Sequence, residues 1–277
     1  MNHIIKKLLY NQAIRDLINP FLRRRKAVSK IQRIKTKLNS NLMRLGSNYG
    51  GKYFVHEKLK EEPIMVSFGA GEDISFDLEF ATMFKAKVYI YDPTPRSKKH
   101  INDIYENLGK NKTSNYSSSG RQEISSYDLN NITKDQISFY DKGVWIESKI
   151  QQFYCPRSSE SVSHSLVPGL KNNPTADYIN VECIDVLECF KDIINKNGNS
   201  DIDLLKIDIE GAETDVVNRI MYSKVRPLQI LVEYDKLSTK NDRWIKEVEC
   251  THDLLIENNY TLCFIDGFAD FTYCYSI

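Results

Sequence analysis

From residue 63 onwards, short apolar runs alternate with segments of helical spacing, and this alternation restricts the chain to few architectures. "PIMVSF" reads as a strand, "ISFDLEFATMF" as a helix and "KVYIYD" as a second strand; "KKHINDIYENL" is again helical. After a Ser-, Asn- and Thr-rich stretch at 110–135, expected to be a surface excursion, "KGVWIE" and "KIQQFYCP" read as strands about a turn. The alternation resumes with "YINVEC", a helix at "DVLECFKDIINKNG", the strand "DLLKIDIEG", the helix "AETDVVNRIMYS" and the strand "LQILVEYD". A helix over "RWIKEVECTHDLLIENN" precedes two closing strands joined at Gly267, which must run antiparallel. The expected fold is α/β: a mostly parallel open sheet with helices on both faces and a C-terminal antiparallel hairpin.

The chain has 277 residues, enough for one large α/β domain with an appendage. Its formal net charge of +1 conceals an uneven distribution. Residues 1–45 carry twelve basic side chains and one acid, Asp16, so the remainder is correspondingly acidic. This stretch reads as two helices broken at Pro20, the second with Val28, Ile31, Ile34, Leu38, Leu42 and Leu45 on one face and basic residues on the other. We expect a basic helical N-terminal extension over 1–45 and a body over 46–277. The basic face is either a solvated surface or a peripheral contact with membrane or an anionic polymer. The six cysteines are scattered without a C-x-x-C pair, and several fall in strand-like runs. They read as reduced thiols in a cytoplasmic protein, which has neither a leader-like apolar run nor a membrane-spanning one.

In open α/β sheets ligands bind beyond the carboxyl ends of the strands, near the point where strand order reverses. The first strand delivers Ser67, Gly69, Ala70, Gly71, Glu72 and Asp73 to that edge, and the second ends at Asp92, where nucleotide-binding units place an acid on ribose hydroxyls. The third glycine of the dinucleotide fingerprint is absent, since Ile74 stands there, and Glu72 and Asp73 would repel a pyrophosphate. An adenosine ligand without phosphates and with a positive centre suits the loop, and S-adenosylmethionine has those properties.

"LLKIDIEGAE" raises a further question, because a strand that reads as core ends in Asp208 and Glu210. Two residues apart on a strand, their side chains would point the same way, into the ligand edge. Asp208 is the leading candidate for a general base; the competing reading is that one of the acids caps the following helix. Glu233 and Asp235 end the next strand. The four acids could hold Mg²⁺ or Mn²⁺ or grip sugar hydroxyls, and no obligatory metal is expected.

The ordered set "YGG" (49–51), "SFGAGEDISFDLEFA", "VYIYDPTPRS", "VSHS", "LLKIDIEGAE" and "RPLQILVEYD" resembles the FkbM family of S-adenosylmethionine-dependent methyltransferases from about Gly46 to the C-terminus. The resemblance implies a class I methyltransferase fold with a seven-stranded sheet. It also implies methyl transfer, usually to oxygen on sugars or small natural products. His164 lies in the matching "VSHS" segment and ranks second as base candidate, and Trp145 is a candidate to flank the adenine, against a plain core role. Two positions depart from the family pattern. Ser67 stands where many relatives carry an acid, which shifts the cofactor contact towards Glu72 or Asp73, and Lys52 follows "YGG" where an aromatic is expected. The expected acceptor is a sugar hydroxyl of a glycan, glycolipid or glycosylated small molecule. An RNA methyltransferase and a non-catalytic cofactor-binding subunit are the alternatives; the acidic body argues against specific nucleic-acid binding, and the intact glycine loop against lost catalysis.

Overall fold

The structure, a computed structural model, describes residues 42–156, 163–170, 177–198, 200–239 and 241–276. The chain enters through the hairpin β1 (Leu42–Leu45) and β2 (Lys52–Val55). It continues through β3 (Ile64–Phe68), α1 (Ser75–Phe84), β4 (Lys87–Tyr91), α2 (Pro95–Glu106) and β5 (Ile137–Tyr140). After β6 (Gly143–Trp145) and β7 (Lys149–Tyr154) come β8 (Tyr178–Asp185), α3 (Val186–Lys196), β9 (Leu204–Ile207) and α4 (Glu213–Met221). The last elements are β10 (Gln229–Glu233), α5 (Asp242–Glu257), β11 (Tyr260–Asp266) and β12 (Asp270–Tyr275).

Seven strands form one sheet in the order β11–β12–β10–β9–β3–β4–β5, with β12 antiparallel to both its neighbours. The chain starts in the middle at β3, moves out to β5, then returns to β9, so strand order reverses between β3 and β9. Alternate residues feed two cores. Ile64, Val66 and Phe68 of β3 and Leu205 and Ile207 of β9 pack with α3, α4 and α5, whereas Met65 and Leu204 pack with α1 and α2. Burial on both faces explains why these strands read as nearly unbroken apolar runs. Lys206 lies on the α1 side, which decides its partner below.

Three expectations need correction. Leu42–Leu45 form a strand rather than the end of a helix, and the boundary drawn at 45/46 falls inside the hairpin. What stabilises it there is packing: Phe54 meets Phe76, Phe80 and Phe84 edge-on at 5.5–5.9 Å, and Gln229 holds Val55, accepting its N–H at 2.8 Å and donating to its carbonyl at 3.0 Å. The rest of the basic extension, including the break at Pro20, lies outside the described residues. The 110–135 stretch has a single 3-10 turn (Ile124–Ser126), yet it buries Tyr127, Leu129 and Ile132, and the Tyr127 hydroxyl accepts the Ile74 N–H. Its polar composition hid those three anchors. Finally, β6 and β7 do not pair with each other; they flank β8, parallel and antiparallel, in a separate three-stranded sheet.

All six cysteines are free thiols. Among the described residues no helix is long and apolar enough to cross a membrane.

Candidate active site

A cleft of about 610 Å³ opens at the carboxyl ends of β3 and β9, at the reversal point, and is lined by Gly69–Asp73, Asp92, His164, Asp208 and Glu210. Gly69 (φ +85°) donates its N–H to the Tyr91 carbonyl at 2.9 Å. A Cβ at this position would lie 1.8 Å from the Asp208 carbonyl oxygen, so only glycine lets the loop press against the end of β9.

Asp92 is committed to that loop. Its Oδ2 accepts the N–H groups of Ala70 (2.8 Å) and Gly71 (3.0 Å), while Oδ1 accepts the N–H (2.8 Å) and hydroxyl (2.7 Å) of Thr94. A carboxylate has about four acceptor sites, and all are occupied. Asp92, the acid expected on the ribose, thus clamps the glycine turn at the wall of the cleft. Asp92→Ala should cost about 2–3 kcal/mol in urea unfolding, with faster hydrogen exchange at the Ala70 and Gly71 amides.

Asp73 is similarly engaged. It accepts from the Ser47 hydroxyl at 2.6 Å, the Gly50 and Ser75 N–H groups at 3.1 Å, and the Gln122 amide at 3.1 Å. It ties the "YGG" turn and the 110–135 stretch to the start of α1 rather than offering a free ligand. Glu72 pairs with Arg96, and Arg121 approaches it at 3.9 Å. Neither Ser67 nor Trp145 lines the cleft: Ser67 is buried inside β3 with Lys206 Nζ 3.3 Å from its hydroxyl, and Trp145 packs against the apolar clusters beside β8.

On the β9 side, Asp208 donates its N–H to the Phe68 carbonyl at 2.9 Å. The strand ends at Ile207 and Glu210 is left-handed (φ +54°), so the two-residue alternation expected to align Asp208 with Glu210 does not extend that far. The following turn is closed by Glu213, whose Oε1 accepts the Gly211 N–H at 2.6 Å. Glu213 thus braces the turn ahead of the helix, whose N-cap, Ala212, carries no side-chain cap, and Asp208 lines the cleft. His164 enters on a segment docked by two backbone bonds between Tyr154 and Ser165 (2.8 and 3.1 Å) and by the Ser165 hydroxyl, which donates to the Glu210 carbonyl at 2.5 Å.

Lys52, which departs from the family pattern, organises the acidic wall. From β2 its ammonium donates to Glu233 at 2.7 Å and to Asp270. Burial alone would lower its pKa, but Glu233, Asp208 and Asp270 outweigh that and raise it. Asp208 is pushed up to about 7, first by burial and then by Glu233 and Glu210, with Lys52 and Lys206 opposing. Asp270 is raised for the same first reason. Asp235 lies buried in the 3-10 turn Asp235–Ser238 and does not line the cleft, so the four acids expected at the strand ends do not converge. Among the described residues no three His, Cys, Asp or Glu side chains are placed to hold a metal ion. Sequence reasoning marked Lys52 but not its pairing with Glu233 and Asp270, and it assigned no part to Lys206 or Asp270; the available signal was charge, since an acidic core edge requires buried cations nearby.

A seven-stranded sheet reversing at β3/β9, with a glycine loop and an acid-bearing strand end at the reversal, defines a Rossmann-like methyltransferase. Residues 62–260 match the methyltransferase FkbM domain, and the chain belongs to this family. No curated protein matches it.

Proposed function

We propose that the protein is an S-adenosylmethionine-dependent O-methyltransferase whose acceptor is a sugar hydroxyl of a glycan, glycolipid or glycosylated small molecule. The observation carrying this reading is Asp208, a carboxyl held near neutrality beside the glycine loop. A group with pKa near the working pH is suited to taking a proton from a hydroxyl acceptor.

The cleft fits the cofactor. Its volume suits a nucleoside carrying an amino-acid tail. Its lining holds eight acids against four bases, which favours a cationic ligand and disfavours a phosphate chain. When bound, S-adenosylmethionine supplies an activated methyl group on a sulfonium. The Gly69–Gly71 loop would hold the nucleoside, the acidic wall would complement the positive charge, and Asp208 would receive the acceptor proton. The docked 163–166 segment would exclude water, with His164 the second candidate base. Lys52 keeps Asp208 from rising further, so Lys52→Met should move the acidic limb of the pH–rate profile upward by about one unit, while Lys52→Arg should leave it near the wild-type position. A limb that stays put in Lys52→Met would remove Lys52 from this role. The basic extension would hold a cytoplasmic enzyme near the membrane or anionic polymer carrying the acceptor.

The test uses S-adenosylmethionine labelled in its methyl group, incubated with the protein and host extract split into glycan, lipid, nucleic-acid and small-molecule fractions. Label in the glycan, glycolipid or glycosylated small-molecule fraction, lost in Asp208→Asn, is the expected result. Label confined to nucleic acid would establish an RNA methyltransferase instead, and none anywhere, with cofactor bound, would favour a non-catalytic subunit.

A further inference from the structure

We infer that Ser165 and Glu213 are positioning residues that pin one peptide unit, Glu210–Gly211, from its two sides and so hold Asp208 and the His164 segment in place relative to each other; the inference rests on the reading of Asp208 above. A peptide unit presents one acceptor and one donor, pointing opposite ways. The Glu210 carbonyl accepts the Ser165 hydroxyl at 2.5 Å, and the Gly211 N–H donates to Glu213 Oε1 at 2.6 Å. Ser165 and Glu213 are both fully buried, so water does not compete for either bond.

This peptide needs holding. Strand β9 ends at Ile207, and its pairing with β3 closes with the bond from the Asp208 N–H to the Phe68 carbonyl. Two left-handed residues follow, Glu210 (φ +54°) and Gly211 (φ +98°). Glu210 carries a Cβ, so that backbone conformation is unfavourable and persists only where the surroundings impose it.

The two clamps come from different parts of the fold. Glu213 opens α4 and ties the turn to that helix. Ser165 belongs to the segment carrying His164. Its backbone exchanges two bonds with Tyr154 at the end of β7, and its hydroxyl oxygen also accepts the Val167 N–H at 2.9 Å. The same segment packs on the turn: a Cβ on Gly211 would lie 2.6 Å from Leu170 Cδ2 and 3.3 Å from Val167 Cγ2. One peptide is therefore the junction between the seven-stranded sheet, which supplies Asp208, and the smaller sheet, on whose edge the His164 segment docks. Both residues line the cleft, where a misplacement of about 1 Å costs about 10²-fold in rate.

Burial pushes the Glu213 carboxyl up to about 8, with its backbone hydrogen bonds opposing and Asp208 and Glu210 adding to the rise. Glu213 thus keeps its proton at neutral pH, and its Oε2 has no hydrogen-bond partner among the described residues. Glutamine, neutral and with the same carbonyl acceptor, is the conservative replacement.

The test cuts one clamp and reads the other side by NMR, on protein loaded with S-adenosylhomocysteine. Ser165→Ala leaves Glu213 in place, yet should speed hydrogen exchange at the Gly211 amide about fivefold. Glu213→Leu leaves Ser165 in place, yet should shift the His164 ring resonances, assigned with His164→Gln; Glu213→Gln should return them close to their wild-type positions. In the labelling experiment, the initial rate of methyl incorporation at saturating S-adenosylmethionine should fall about tenfold or more in Ser165→Ala and in Glu213→Leu. Glu213→Gln should keep most of the rate. The double variant should lose little beyond the worse single one, because both cuts release the same peptide. Affinity for S-adenosylhomocysteine should hardly change in the single variants.

The inference is overturned by unchanged Gly211 exchange or a wild-type rate in Ser165→Ala, or by His164 resonances that stay put in Glu213→Leu. If Glu213→Leu does not fold, Ser165→Ala and Glu213→Gln decide: a Glu213→Gln variant as slow as Ser165→Ala overturns it as well. Failure of the underlying reading looks different. Wild-type turnover in Asp208→Asn would remove the base, whereas the Gly211 and His164 signals report the junction whatever the acceptor is.

Discussion

Asp208→Asn should lower kcat for methyl transfer by about 10²–10⁴-fold while leaving S-adenosylhomocysteine binding nearly intact. The substitution preserves shape and removes only the ability to accept a proton. With its pKa near 7, Asp208 is protonated at pH 6 and below, so wild-type kcat/KM should rise with pH and level off above neutrality. That limb should vanish from the residual activity of the variant. A variant that retains wild-type turnover would remove Asp208 from the mechanism. Stability should move the other way. An aspartate in the unfolded chain titrates near about 3.9, below the folded value, so the folded state holds this proton more tightly. The contribution favouring the fold is complete below the unfolded pKa and is lost as pH rises through about 7. Asp208→Asn should therefore melt higher than wild type at pH 8, with the gap closing towards pH 4. The site would then carry an electrostatic cost that its function requires.

Lys206→Met should destabilise the fold by about 3–5 kcal/mol, read from urea unfolding. Lys206 and Asp77 form an ion pair at 3.0 Å between β9 and α1, with side chains 4% and 0% exposed. Removing the lysine strands a carboxylate in the core, with Asp77 Oδ1 already lacking a hydrogen-bond partner. It also removes the ammonium from the Gly69 carbonyl, 3.4 Å away, so the glycine loop should loosen as the protein weakens. A double variant, Lys206→Met with Asp77→Leu, should recover most of the loss, because a dry apolar pair replaces a buried charge pair. If the single variant costs under about 1 kcal/mol, or the double is no more stable than the single, the pair is not what holds β9 to α1.

Much of the fold was legible because periodicity reports burial directly. β3, β9 and β10 are apolar on both faces, and α3 to α5 carry apolar residues at helical spacing. Legibility failed where composition and environment diverged. Tyr127, Leu129 and Ile132 anchor a stretch whose other residues are polar, and Leu42 and Leu45 fit a helical stripe as well as they fit a short strand. In the candidate site, the placement of Gly69, Gly71 and Asp208 along the cleft was legible because special backbone geometry and strand-end acids leave marks in sequence. The roles of Asp92 and Asp73 were not, because a carboxylate's partners depend on which N–H groups surround it.

By itself, the sequence determined the α/β class, the antiparallel closing hairpin, the glycine loop and the presence of acid at the end of β9, since each follows from local pattern and chain order. Only the tertiary structure decided which acids face the cleft, that Asp92 clamps the loop, and that Lys52 from β2 pairs with Glu233 and Asp270. Those partners are separated by up to 218 residues, as Lys52 is from Asp270, and pairing across such a distance is set by sheet order and packing, on which no local pattern reports.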